Sequence, residues 1–93
     1  MEDMIRAQVI VSGRVQGVFF RQNTLKKAKE LAVFGWVRNL MDGRVEVVFE
    51  GEKGRVERMV DWLKQGPVGA RVEHIEIDWQ DYRGEFKTFE IRY

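Results

Sequence analysis

WVRNLMDGRVEVVF, residues 36 to 49, contains two apolar stretches joined by Asp42-Gly43. Asp-Gly between apolar runs is a strong signal for a two-residue hairpin turn. Residues 36 to 41 read as a strand, and Val45, Val47 and Phe49 alternate along the next one. A lone hairpin leaves many folds open, so its flanks decide. Before it, Leu25, Ala28, Leu31 and Ala32 share one face of a helix expected over residues 21 to 32. After it, Val56, Met59, Val60 and Leu63 fall at helical spacing over residues 52 to 65, and Gly66-Pro67 breaks the run. Further out, Ile5, Ala7, Val9 and Val11 alternate in a first strand, and Ile75, Ile77 and Trp79 in a fourth. A turn at Tyr82 to Gly84 then leads to Phe89, Ile91 and Tyr93 on a short edge strand. The order is β-α-β-β-α-β plus a short C-terminal strand. It predicts an α+β, ferredoxin-like two-layer sandwich, an antiparallel sheet with two helices on one face.

The 93 residues predict one domain spanning 1–93. The chain has no cysteine, which excludes a disulfide framework and thiolate metal sites and suits a reducing cytoplasm. The N-terminus, MEDMIRAQVIVSG, begins acidic and has only a short apolar stretch, so it reads as neither signal peptide nor membrane span. A net charge of +1 argues against a broad nucleic-acid footprint. The charge is uneven, however. No acidic residue lies between Asp3 and Glu30, an interval that carries Arg6, Arg14, Arg21, Lys26, Lys27 and Lys29.

Within that basic interval lies GRVQGVFFR, residues 13 to 21. Residues 13 to 20 read as a loop between the first strand and the first helix. Glycines let successive N–H groups converge on one point and so form an anion nest. The following helix adds its own free N–H groups and its positive dipole end. Arg21 is a cation at that end, a placement unfavourable by ~0.3–1 kcal/mol until an anion sits between the two. Its planar fork matches two phosphate oxygens. The stretch lacks the Gly-Lys-Ser/Thr of a nucleotide P-loop and the GxGxxG of a dinucleotide fold. Val15, Val18, Phe19 and Phe20 read equally as core residues.

Asn39 interrupts an apolar strand just before the hairpin. Its amide both donates and accepts, so it can orient a water molecule. It reads equally as a turn-proximal residue bonded to backbone. Arg38 points to the opposite face of the sheet. Asp42, Glu46 and Glu50 read as turn or solvent-face groups, and His74, the one histidine, as an exposed strand residue. There is no Ser-His-Asp or Cys-His set and no metal-ligand spacing. A site of amides, one arginine and one asparagine has no general acid. It suits a substrate whose leaving group is already stable, such as a carboxylate with a pKa of about 4.

These two segments resemble the signatures of the acylphosphatase family. Gly13 through Arg21, preceded by Ser12, is similar to its phosphate loop. Gly35-Trp36-Val37-Arg38-Asn39, followed by Gly43, Val45 and Gly51, is similar to its second motif. The resemblance covers essentially the whole chain. It implies metal- and cofactor-free hydrolysis of acyl phosphates to carboxylate and inorganic phosphate. It assigns phosphate binding to Arg21 and to the backbone amides of Val15, Gln16, Gly17, Val18, Phe19 and Phe20, and orientation of the attacking water to Asn39. One small site per chain predicts a monomer, and the charge and the N-terminal stretch predict no nucleic-acid or membrane partner; inorganic phosphate is the expected product and inhibitor. The alternative is a non-enzymatic anion- or RNA-binding module on the same plan. An RNA-recognition sheet would carry a basic, aromatic-rich signature on the third strand. That strand here reads RVEVVFEGE, which is acidic.

Overall fold

The structure is a computed structural model that describes residues 3–93. Met1 and Glu2 lie outside the described residues, and with them the start of the acidic N-terminal stretch and the first two positions of the predicted domain. The elements are β1 (Met4–Arg14), α1 (Phe20–Leu31), β2 (Phe34–Asn39), β3 (Val45–Glu52), α2 (Lys53–Gln65), β4 (Arg71–Asp81) and β5 (Phe89–Arg92). The five strands form one sheet in the order β4-β1-β3-β2-β5. Among the described residues, no helix is long and apolar enough to cross a membrane.

The predicted alternation matches the register. Ala7, Val9 and Val11 of β1 lie opposite Phe49, Val47 and Val45 of β3, all on the helix-covered face and all fully buried. Val56, Met59, Val60 and Leu63 of α2 pack into the same core. Helix α1 starts one residue earlier than predicted and buries Phe20, Thr24 and Ala28. Leu25 and Leu31 flank that stripe, half-buried against the core. The Thr24 hydroxyl is buried because it donates to the Phe20 carbonyl one turn back, at 2.7 Å.

Four expectations need correction. The sheet is mixed, because β5 pairs parallel with β2. A parallel neighbour needs a crossover connection, and residues 82–88 supply it by carrying the chain from β4 at one edge to β5 at the other. The hairpin is also wider than two residues. Gly43 N–H donates to Leu40 O at 3.2 Å, and Leu40 N–H to Arg44 O at 2.8 Å, so residues 41–43 form the loop. Gly43 takes a positive φ of 95°, as a three-residue hairpin loop requires. Strand β1 runs to Arg14, so the loop before α1 is residues 15–19 only.

The fourth correction concerns Glu46 and Glu50. They point away from the helices, as predicted, yet are only 6% and 2% exposed. The crossover folds over that face and covers Glu50. Its Arg83 and Glu85 N–H groups donate to the Glu50 carboxylate at 2.6 and 2.9 Å. Arg6 lies 3.4 Å from Glu50 and 2.9 Å from Glu85, with its guanidinium over the Phe86 ring. Glu46 is held separately, by Arg38 and Gln8, each at 2.7 Å.

Burial alone would raise the Glu50 pKa, but the Arg83 and Glu85 donors and Arg6 outweigh it and hold it below the ordinary value of 4.5. Because the folded value is depressed, this stabilisation is complete above about pH 4.5 and is lost as the pH falls through the folded value. Glu50→Gln keeps the shape and loses the charge. It is expected to cost about 1–3 kcal/mol near neutrality. In urea titrations the gap to wild type should close as the pH drops below about 4. A gap that does not change with pH would show that the carboxylate charge does not hold the crossover.

Candidate active site

The loop after β1 and the start of α1 enclose a cavity of about 190 Å³ together with the end of β2. Val15, Gln16, Gly17, Phe19, Phe20, Arg21, Gln22 and Asn39 line it. The structure thus brings together every site residue expected from the sequence except Val18, whose half-buried side chain packs against the core. Val15 and Phe20 both line the cavity and belong to the core, so the two readings of these residues are compatible.

The backbone there has the form an anion site needs. Gly17 and Phe19 both have positive φ, 73° and 58°. Left-handed residues spaced this way turn successive N–H groups to one side and make a concave nest. A Cβ on Gly17 would touch nothing within 4 Å, so its glycine serves the dihedral and not packing. Phe19 is the N-cap of α1, without a side-chain cap, and the first turn carries no acidic residue. The first intrahelical bond runs from Asn23 N–H to Phe19 O at 3.1 Å. The N–H groups of Phe20, Arg21 and Gln22 therefore precede the helical ladder and are available at its positive end. Gly13 belongs elsewhere. It sits at the bulge where β1 meets β4, with a φ of 124°, and a Cβ there would lie 2.2 Å from Arg71 O, so the bulge backbone and close strand packing together explain it.

Arg21 is half-buried beside the nest. Among the described residues it has no ion-pair partner, although nine other contacts pair an arginine or lysine with a carboxylate. Its guanidinium stacks on the ring of Tyr93, 4.9 Å from the centroid. The stack holds the fork in place while leaving its charge uncompensated.

Asn39 closes the cavity from the other side. It is the last residue of β2 and pairs with Val45, so its backbone is fixed by the sheet. Its side-chain Oδ1 is buried and accepts no hydrogen bond from any described group. The alternative reading, an amide oxygen satisfied by turn backbone, is therefore not what the structure shows. An unpaired buried acceptor costs about 1–3 kcal/mol, a cost a fold retains where a donor is to be received.

Sequence reasoning missed two residues. The Gln16 amide donates to Leu40 O at 2.8 Å and to Arg44 O at 2.9 Å. It ties the nest to the base of the hairpin, one residue from Asn39. Tyr93 was read only as the end of an edge strand. Both contacts join segments far apart in the chain, and no local pattern announces them. His74 is exposed, beside Glu76, on β4 as expected.

Comparison with known proteins places the fold and the sequence in one family. The acylphosphatase family model matches residues 7–91. The chain is 54% identical over 91 residues to an acylphosphatase of Roseiflexus sp. (strain RS-1), covering 98% of each. It superimposes on the structure of an acylphosphatase from Coxiella burnetii with a TM-score of 0.91 at 39% identity, covering 97% of this chain and 94% of that one. With the crystal structure of acylphosphatase from Bacillus subtilis the TM-score is 0.92 at 34% identity, covering 96% and 99%. With the family model matching residues 7–91, a relative 54% identical over nearly the full length and the fold in agreement, the chain belongs to the acylphosphatase family.

Proposed function

We propose that this protein hydrolyses the carboxyl–phosphate bond of small acyl phosphates, giving a carboxylate and inorganic phosphate, by a route that needs no metal. The observation that carries the reading is that Asn39, whose buried Oδ1 has no partner among the described groups, lines the same cavity as an N–H nest and an arginine without an ion-pair partner. The nest and the start of α1 receive the phosphoryl oxygens, and Arg21 grips two of them. Asn39 Oδ1 accepts a hydrogen bond from a water and aims its oxygen at phosphorus. That oxygen forms the new P–O bond, and the bond from phosphorus to the acyl oxygen breaks. The carboxylate leaves with the electron pair, and a phosphate oxygen takes the water's proton. A carboxylate leaving group needs no proton from the protein, which accounts for a site without a general acid. Fixed donors in a partly enclosed cavity hold the charge as it shifts in the transition state.

The test is hydrolysis of benzoyl phosphate in EDTA beside p-nitrophenyl phosphate. Turnover of the acyl phosphate alone is the expected result. Equal turnover of the ester, or none of either substrate, would reject the reading.

A further inference from the structure

We propose that the ring of Phe19 is the platform for the acyl group, so that the enzyme favours acyl phosphates with aryl or extended apolar acyl chains. This rests on the function proposed above and adds a specificity determinant to it. Phe19 is 72% exposed and contributes nothing to the core. It also sits in left-handed backbone (φ 58°, ψ 29°) at a helix N-cap. Glycine or asparagine would hold that conformation with less strain, and asparagine would cap the helix as well. A phenylalanine here is costly in backbone energy and idle in packing, so its ring has a use outside folding.

The cavity indicates that use. The nest and Arg21 take the phosphate end, and the acyl group extends beyond it. Of the residues lining the cavity, Val15 and Phe20 are buried in the core and Gly17 has no side chain. Gln16 is committed to its two carbonyls, and Arg21, Gln22 and Asn39 are polar. Phe19 is the one exposed apolar side chain among them. Within the cavity, an aryl or alkyl acyl group leaves water by packing against that ring.

The experiment compares kcat/KM for benzoyl phosphate with that for acetyl phosphate in wild type, Phe19→Gly, Phe19→Asn and Phe19→Tyr. Glycine and asparagine both accept the left-handed backbone, so the test does not rest on one variant folding. Both substrates carry the same phosphate, so a disturbed nest or a fraction of inactive protein cancels in the ratio. The benzoyl-to-acetyl ratio should fall roughly two- to tenfold in the glycine and asparagine variants, the size of one aromatic contact. It should recover in Phe19→Tyr. An unchanged ratio in variants that still hydrolyse acetyl phosphate overturns the platform and leaves the proposed function standing. A wild-type protein that hydrolyses neither substrate overturns both.

Discussion

Arg21→Ala is expected to weaken inhibition by inorganic phosphate about 10- to 100-fold, whereas Asn39→Ala shifts it less than about threefold and lowers kcat about 100-fold or more. The difference follows from what each side chain meets. Arg21 makes charge-assisted bonds to phosphate oxygens, present in the bound product as well as in the substrate. Asn39 touches the attacking water, which matters only as the transition state forms. Stability separates these effects from misfolding. Removing Arg21 relieves a cation at a helix N-terminus, worth ~0.3–1 kcal/mol, and loses its stack on Tyr93, worth about 0.5–1 kcal/mol. The two nearly cancel. Removing the Asn39 side chain breaks no hydrogen bond to any described group, so Asn39→Ala should stay close to wild type in stability. Urea midpoints near wild type beside collapsed turnover would be the expected signature. Equal loss of phosphate affinity in both variants would refute the division of labour.

How far the sequence could be read depended on the range of the interactions involved. The strands, helices and nest were legible because alternation, helical spacing and a glycine-bearing loop are local patterns. Leu25 and Val56 announce helical faces from neighbours three and four residues away. Glu50 could not be read the same way. Its parity on β3 places it correctly away from the helices, but its burial depends on residues 82–88 folding across it. No pattern around position 50 encodes that crossover. The parallel pairing of β5 was hidden for the same reason. Gly13 and Gly17 show a subtler limit. They look alike in GRVQGVFFR and both have positive φ, yet only Gly13 also admits a neighbouring strand, whereas Gly17 is open around its Cβ position. The identities of Arg21 and Asn39 were readable from residue chemistry. Their meeting in one cavity depended on β2 lying where the tether from Gln16 can reach its end.

Gly35→Ala should destabilise the protein severely. A Cβ at position 35 would lie 1.9 Å from Val48 O, 2.7 Å from Phe49 Cα and 2.8 Å from Val48 C. All three are backbone atoms of the central strand β3, so no side-chain rotation relieves the clash. Gly35 is also fixed from the other side, where it lies opposite Phe89 of β5 and its N–H donates to Thr88 O at 2.9 Å. Its φ is not positive, so the requirement for glycine is space and not conformation. Overpacking in a yielding core costs about 1–3 kcal/mol, and a contact with unyielding backbone belongs at or above the top of that range. Against a total stability of about 5–15 kcal/mol, the loss would populate unfolded chains at modest urea concentrations. Activity should fall as well, because strand β2 ends in Asn39 and the β5 it pairs with leads to Tyr93 beneath Arg21. Gly17→Ala makes the contrast. Its Cβ meets nothing within 4 Å, so only the dihedral penalty applies, about 1–2 kcal/mol, and it falls on the nest itself. Urea titrations should therefore rank Gly35→Ala well below Gly17→Ala. The reverse order would mean that β2 can draw away from β3 without cost, and the sheet would not then be what fixes Asn39 opposite the phosphate nest.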